Sequence, residues 1–193
     1  MFDSTFGIIL IVVCSAVLII LAFVWNVYNK LVKLNERVNE AWSDITVQLK
    51  YRADLIPNVV ETVKGYAKHE REAFESVTKA RAGLLEAKNV KSMAAAEDNL
   101  TAMLSKVFAI AEAYPELKAN ANFVRLQEQL QDVEDKIQAS RRFYNAGAKD
   151  LNTKIKMFPS NLFAKMLGFK LRDYFEVSSA EAAKIADAPE IKF

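Results

Sequence analysis

The chain has 193 residues, a length typical of a single domain rather than of a multidomain enzyme. Only 5 glycines and 4 prolines argue against a many-stranded sandwich or barrel, because hairpin turns normally require such residues. One cysteine excludes a disulfide framework, one histidine excludes a histidine-rich metal site, and a net charge of +2 gives no whole-chain argument for nucleic-acid binding.

The first predicted element is a membrane-spanning helix over residues 6–28. The run from Phe6 to Trp25 holds no ionisable side chain except Cys14, and its twenty residues would span about 30 Å, the thickness of a bilayer's hydrocarbon core. No Lys or Arg precedes the run and no clear small-residue cleavage site follows it, so an uncleaved anchor is favoured over a signal peptide. Positive charges follow the run at Lys30, Lys33 and Arg37, which predicts an external N-terminus (residues 1–5) and a cytoplasmic remainder.

The part of the chain after the anchor is predicted to be all-α. Apolar residues recur there at helical spacing, and the alternation typical of strands is absent. The sequence around Asp54 and Pro57 allows two interpretations. In the first, a second helix begins there and runs toward Ala87, because proline is tolerated in a first turn and Asp54 is a good N-cap. In the second, Pro57 lies at a kink inside one longer helix.

Two further helices are predicted beyond a polar connection at Lys88–Ser92. The third covers Met93–Tyr114, and Leu117–Ala121 is expected to form a loop in which Asn120 or Asn122 caps the next helix. The fourth carries a seam at alternating three- and four-residue steps, which predicts packing inside a bundle, and its members are Phe123, Leu126, Leu130, Val133, Ile137, Ser140, Tyr144, Gly147 and Leu151. Residues 29–158 are therefore predicted to form an up-and-down antiparallel four-helix bundle.

The C-terminal part is predicted to contain a short amphipathic segment and a tail. Pro159 ends the fourth helix, and Ser160 is expected to cap a short helix within residues 159–176. Residues 177–193 are acidic and alanine-rich and are predicted to be a flexible tail.

Two stretches, Asn35–Ala82 and Arg141–Glu176, resemble the LemA family of bacterial membrane-anchored helical proteins. The residues that carry the resemblance occur in a characteristic order, namely Trp42, Gln48, Arg52, Asp54-Leu55-Ile56-Pro57-Asn58, Arg142, Tyr144-Asn145, Asn152, Phe158-Pro159 and Gly168-Phe169. The resemblance implies a single span in the bacterial inner membrane and a four-helix bundle, but no enzymatic activity. One branch of the family is associated with magnetosome membrane formation, which favours a role in membrane organisation.

One position departs from the family pattern. Family members often carry a second Tyr-Asn pair where this chain has Leu151-Asn152. A tyrosine hydroxyl is therefore missing, and any hydrogen-bond network that relies on it must be satisfied in another way.

No motif in the sequence carries recognisable catalytic chemistry. The single histidine, His69, lies outside any Glu-x-x-His motif, and we expect it to be exposed or at a helix end. Phosphate-binding glycine loops and G-x-S-x-G are absent from the sequence. We therefore expect no enzyme activity, no cofactor and no metal.

Polar residues that interrupt the predicted helix faces form the candidate site. They could make a satisfied network that fixes helix register or a surface for a partner, and they are Trp42, Gln48, Arg52, Asp54, Pro57, Asn58, Arg142, Tyr144, Asn145, Asn152 and Pro159.

A second candidate surface is basic. Lys136 to Arg172 contains nine basic residues and one acidic residue, Asp150, so this region could dock on an anionic leaflet through Lys165, Lys170, Arg172, Phe163 and Phe169. The alternative is that the segment after Pro159 folds back and caps the bundle.

The leading functional hypothesis is a self-associating scaffold or assembly protein at the lipid bilayer. The alternative is a regulatory module that presents the bundle to a membrane or cytoplasmic protein. Nucleic acid is not an expected partner, because acidic residues elsewhere offset the basic region.

Overall fold

The computed structural model describes residues 2–176, and all regular secondary structure in that range is α-helical. The helices are α1 (Phe2–Lys64), α2 (Arg71–Glu86), α3 (Val90–Glu112), α4 (Pro115–Lys118), α5 (Ala121–Lys156) and α6 (Ser160–Met166). The all-α prediction is confirmed. The expected tail at 177–193 lies outside the described residues.

The described residues divide into two compact units. One, which we call the anchor unit, comprises residues 2–40 and 146–172, and the other, the central unit, comprises residues 41–145 and 173–176. Both α1 and α5 contribute to each unit. The antiparallel four-helix arrangement expected over 29–158 stays a prediction.

The apolar run forms the first part of α1. Every side chain from Ile8 to Phe23 is exposed, in a helical window of mean hydropathy 3.2. Exposing so many large apolar side chains to water would be costly, since each buried methylene is worth about 0.8 kcal/mol. The run therefore suits a lipid environment, as a membrane anchor requires.

The prediction that a second helix begins near Asp54 is wrong, because α1 continues through Pro57 to Lys64. Pro57 has no N–H to donate to the carbonyl of Ala53, its normal partner in a helix. In its place, Arg81 Nε of α2 donates to Ala53 O at 2.7 Å. Buried residues on both sides of the proline, including Ile56 and Val60, hold the helix against the protein interior. The helix ends later, at the connection formed by residues 65–70, where His69 is exposed as expected.

Helices α2 and α3 pack against each other, and Asn89 begins α3. Asn89 Oδ1 accepts from Ser92 N at 2.9 Å, and Ser92 Oγ accepts from Asn89 N at 3.1 Å, which completes a reciprocal cap. The loop predicted after α3 is wrong in part, because Pro115 occupies the first position of the one-turn helix α4.

Asn120, one of the two asparagines predicted as alternative caps, is the N-cap of α5. Its Oδ1 accepts from Asn122 N at 2.9 Å and from Phe123 N at 3.2 Å. The predicted seam of α5 is largely buried, and a Cβ at Gly147 would lie 3.4 Å from Val38 Cγ2. This small residue permits the close approach of α5 to α1 inside the anchor unit.

Helix α6 begins differently from the prediction that Ser160 would cap it. Pro159 is the N-cap, and the Ser160 hydroxyl donates toward the carbonyls of Lys154, at 2.7 Å, and Met157, at 2.9 Å. Lys154 lies in the last turn of α5, where carbonyls lack helical partners, whereas the Met157 carbonyl also accepts from Asn161 N at 2.8 Å. Gly168, with φ +80°, ends α6 in the left-handed conformation typical of helix C-termini.

Candidate functional site

The central unit contains a buried cluster of four charged side chains. Arg52 Nη1 of α1 lies 3.3 Å from Glu97 Oε1 of α3 and 2.9 Å from Glu134 Oε2 of α5. Arg141 Nη2, also of α5, pairs with Glu97 Oε2. Glu97 therefore lies between two guanidinium groups, and the cluster joins three helices.

Burial dominates the electrostatics of this cluster. Glu97 is 2% exposed and Arg52 is 6% exposed, so neither charge is solvated by bulk water. Desolvation lowers the pKa of the Arg52 guanidinium, while the negative charge of Glu134 acts in the opposite direction. Arginine nevertheless remains protonated in proteins, so the two carboxylates must compensate the two buried cations.

The sequence analysis named Arg52 among the residues of a polar network or partner surface but did not name Glu97, Glu134 or Arg141. It named Arg142, which is exposed, whereas the neighbouring Arg141 faces the protein interior. Glu97 could have been found from spacing, because Met93, Glu97 and Leu100 follow one another at steps of four and three and share the buried face of α3.

A surface groove of about 350 Å³ lies beside the cluster. It combines apolar walls with amide, carboxylate and guanidinium groups, and its lining residues are Arg52, Leu104, Phe108, Gln127, Leu130, Gln131 and Glu134. Within residues 2–176, no group of three or more His, Cys, Asp or Glu side chains is placed to hold a metal ion.

Two asparagines of α5 hold the non-helical segment that follows α6. Asn145 exchanges two hydrogen bonds with the backbone of Phe175, and Asn152 exchanges two with the backbone of Arg172, all at 2.8 Å. Each amide side chain donates to the carbonyl and accepts from the N–H of the same residue. The two asparagines therefore act as backbone clamps.

The residues around the Asn145 clamp also contact the segment. The Tyr144 hydroxyl donates to Asp173 O at 3.0 Å, and its ring lies 5.8 Å from that of Trp42. Phe175 is 5% exposed, and the Arg141 guanidinium lies 4.4 Å above its ring. Leu151, at the position where the family resemblance implies a tyrosine, is fully buried.

The other predicted site residues do not join these groups. Gln48 is half-buried, Pro57 is exposed within α1, and Pro159 caps α6. Asp54 Oδ1 lies 3.7 Å from an Arg81 nitrogen, and the carbonyl of Asn58 accepts from the Thr62 hydroxyl inside α1. The predicted residues thus divide between the charged cluster, the asparagine clamps and isolated helix positions.

The predicted membrane-contact residues lie in the anchor unit. The Phe163 ring lies 6.0 Å from that of Phe23, and the Phe169 ring lies 6.1 Å from that of Tyr28. Lys165 and Lys170 are exposed.

Arg172 differs from those two lysines. Its Nη2 donates to Asn35 Oδ1 and Asn39 Oδ1, both at 2.9 Å, so its guanidinium is engaged within the protein.

Comparison with known proteins gives a consistent set of relatives. The model of the LemA family matches residues 41–193. The magnetosome protein MamQ 2 of Paramagnetospirillum magneticum is 24% identical over 86% of this chain and 71% of its own length. MamQ of Magnetospirillum gryphiswaldense is 25% identical over 90% and 75%, and the protein LemA of Metamycoplasma hominis is 26% identical over 85% and 75%.

Proposed function

The chain belongs to the LemA family, and on this basis we propose that it is a membrane-anchored helical scaffold that self-associates and organises the membrane, without catalytic activity. The observation that carries the proposal is the exposed apolar run of α1, which continues directly into the helix that supplies Arg52. An anchor of this kind confines the protein to a surface, where weak contacts between copies become effective because the local concentration is high.

Two further points support the proposal. Two relatives are named as magnetosome proteins, which agrees with the association of one branch of the family with magnetosome membrane formation. The polar groups of the central unit form clusters and clamps that stabilise a shape, which is what a scaffold requires.

We place the protein in the bacterial inner membrane, with the N-terminus outside and the helical part in the cytoplasm. The positive charges that follow the run support this orientation. A cysteine at the exposed Val47, in a Cys14→Ser chain, should resist a membrane-impermeant maleimide in intact cells and react after the cells are opened. Labelling of this cysteine in intact cells would show that the protein has the opposite orientation.

Cross-linking in native membranes tests self-association. At native expression, a lysine-reactive cross-linker should produce dimers or larger species of this chain, and deletion of residues 6–25 should abolish them by releasing the protein from the surface. If the full-length chain yields only monomer, the self-association proposal fails.

The groove beside Arg52 supports the alternative function, a binding module for another protein. Gln127 and Gln131 are exposed on its rim, whereas Arg52 belongs to the buried cluster, so the glutamines are the better test positions. If the Gln127→Ala/Gln131→Ala chain folds normally but loses a defined partner in pulldowns, and the exposed control Glu128→Ala retains it, the binding module is favoured. Equal recovery with both variants would contradict it.

A further inference from the structure

The exposed apolar side chains outside the span are concentrated in one short part of the chain. Residues 157–171 contain six large ones, of which Met166 is 83% exposed and Phe158 is 79% exposed, and the others are Met157, Leu162, Leu167 and Leu171. Elsewhere in the described residues after Tyr28, the exposed large apolar residues are spread along the rest of the chain. A local concentration of exposed apolar side chains is typical of an interaction surface.

Contacts within the anchor unit place this group beside the end of the apolar run. The Phe163 ring of α6 lies 6.0 Å from that of Phe23, and the Phe169 ring lies 6.1 Å from that of Tyr28. Phe23 precedes the last residue of the run, Trp25, by about 3 Å of helix rise. If the run crosses the hydrocarbon core, α6 must therefore lie at the boundary between hydrocarbon and headgroups.

The burial pattern of α6 determines which of its side chains face outward. Ser160 and Ala164, the small residues, are buried against the protein, whereas Leu162 and Met166 are exposed. The outward side of α6 therefore carries Leu162 and Met166 together with the polar Asn161 and Lys165, while its small residues contact the protein. The segment thus contacts the protein through its buried side and leaves large apolar side chains exposed on the other.

The charge of the segment selects the kind of membrane. Lys165 and Lys170 are exposed beside the apolar group, as is Lys156 at the end of α5, and no acidic residue occurs between Asp150 and Asp173. The Arg172 guanidinium keeps its charge but is held within the protein, where it donates to Asn35 and Asn39. A basic and apolar surface at the boundary between hydrocarbon and headgroups matches a leaflet that contains anionic lipids.

We propose that residues 157–171 form an interfacial wedge, in which the exposed apolar side chains insert among the lipids of an anionic leaflet and Lys165 and Lys170 bind their headgroups. The wedge deepens the proposed function and rests on it, since it requires the span to lie in the membrane. It would give the chain a second membrane contact beside the span and would restrict rotation of α1 about its axis.

Collisional accessibility of a spin label tests the wedge in the full-length protein. In a Cys14→Ser chain, we would attach nitroxides to Met166→Cys and Leu162→Cys and reconstitute the protein in phosphatidylcholine vesicles with and without phosphatidylglycerol. A matched control carries the label at Val47→Cys, which is also an exposed apolar position but lies in the central unit. The ratio of oxygen to nickel-chelate collisions should be several-fold higher at 162 and 166 than at 47.

The lysines are tested by the lipid dependence of the same ratio. Phosphatidylglycerol should raise it at position 166, and Lys165→Gln/Lys170→Gln should abolish that increase, because each lysine near the surface shifts the equilibrium roughly fivefold. An increase that persists in this variant would overturn the headgroup contact.

Two results would overturn the wedge as a whole. One is a ratio at 166 equal to that at 47, and the other is low accessibility to both reagents with spin–spin broadening, which would mean that a second copy covers the segment. Carbonate extraction of the same samples separates the two proposals. A chain that stays in the membrane but shows a water-exposed residue 166 disproves only the wedge, whereas a chain that is released disproves the anchor.

Discussion

Glu97 illustrates how a single residue determines the internal structure of the central unit. Its carboxylate lies between Arg52 and Arg141 and is almost inaccessible to water. A buried ion pair contributes little net stability when it forms, because desolvation of both charges offsets their attraction. Removing one partner is costly, however, because the remaining charge stays buried without compensation.

We therefore expect Glu97→Leu to lower the free energy of unfolding by about 3–5 kcal/mol, since it leaves two guanidinium groups facing one carboxylate. The measurement is urea denaturation of the full-length protein in detergent, followed by circular dichroism. The control Glu128→Leu changes an exposed residue of α5 and should alter stability by less than about 0.5 kcal/mol. Equal effects of the two variants would show that the cluster has no special role.

Arg81 and Pro57 are linked through the carbonyl of Ala53. Arg81 donates to the carbonyl that Pro57 leaves without its usual donor. We expect Arg81→Met to cost about 1–2 kcal/mol in the parent chain, because a buried carbonyl loses its partner.

The same substitution should cost less in a Pro57→Ala chain, where the new N–H of residue 57 can donate to Ala53 O. A double-mutant cycle from denaturation curves measures the difference, and the coupling should be at least about 0.5 kcal/mol. Strict additivity of the two substitutions would refute this explanation of the continuous helix.

At the scale of elements, side chains of α5 hold the segment that follows α6. Asn145 and Asn152 bind backbone groups of the segment rather than its side chains, and they add to the contacts that Arg172 and Phe175 make through their own side chains. An asparagine can both donate and accept, and this dual capacity is what the clamp uses.

We expect Asn145→Asp to loosen the segment, because a carboxylate can still accept from the Phe175 N–H but repels the Phe175 carbonyl. Hydrogen exchange of the Phe175 amide should accelerate roughly tenfold, which corresponds to about 1.4 kcal/mol. Asn122→Asp, at the exposed start of α5, provides the control and should leave this amide unchanged. Unchanged exchange in both variants would mean that other contacts hold the segment.

At the scale of the whole molecule, the apolar run decides where the protein resides. Two arginines placed within it, at Val13 and Val17, should each cost about 2.5–3 kcal/mol of insertion free energy. Val13→Arg/Val17→Arg should therefore shift the protein from the carbonate-resistant membrane fraction to the soluble or degraded fraction. Val13→Leu/Val17→Leu, as the matched control, should remain in the membrane, and retention of the arginine variant would contradict a spanning anchor.

The sequence by itself determined the apolar run, the all-helical class and the buried seam of α5, and it narrowed the α5 cap to Asn120 or Asn122, because these depend on composition, periodicity and local hydrogen bonding. Only the tertiary structure decided that α1 passes through Pro57, since the carbonyl of Ala53 that the proline leaves free finds its donor in Arg81, 28 residues after Ala53. The same holds for the burial of Glu97 and for the asparagine clamps, whose partners lie 20 to 45 residues away in the chain. A polar side chain on a helix face is compatible with several partners or with solvent, and only packing of the helices selects among them.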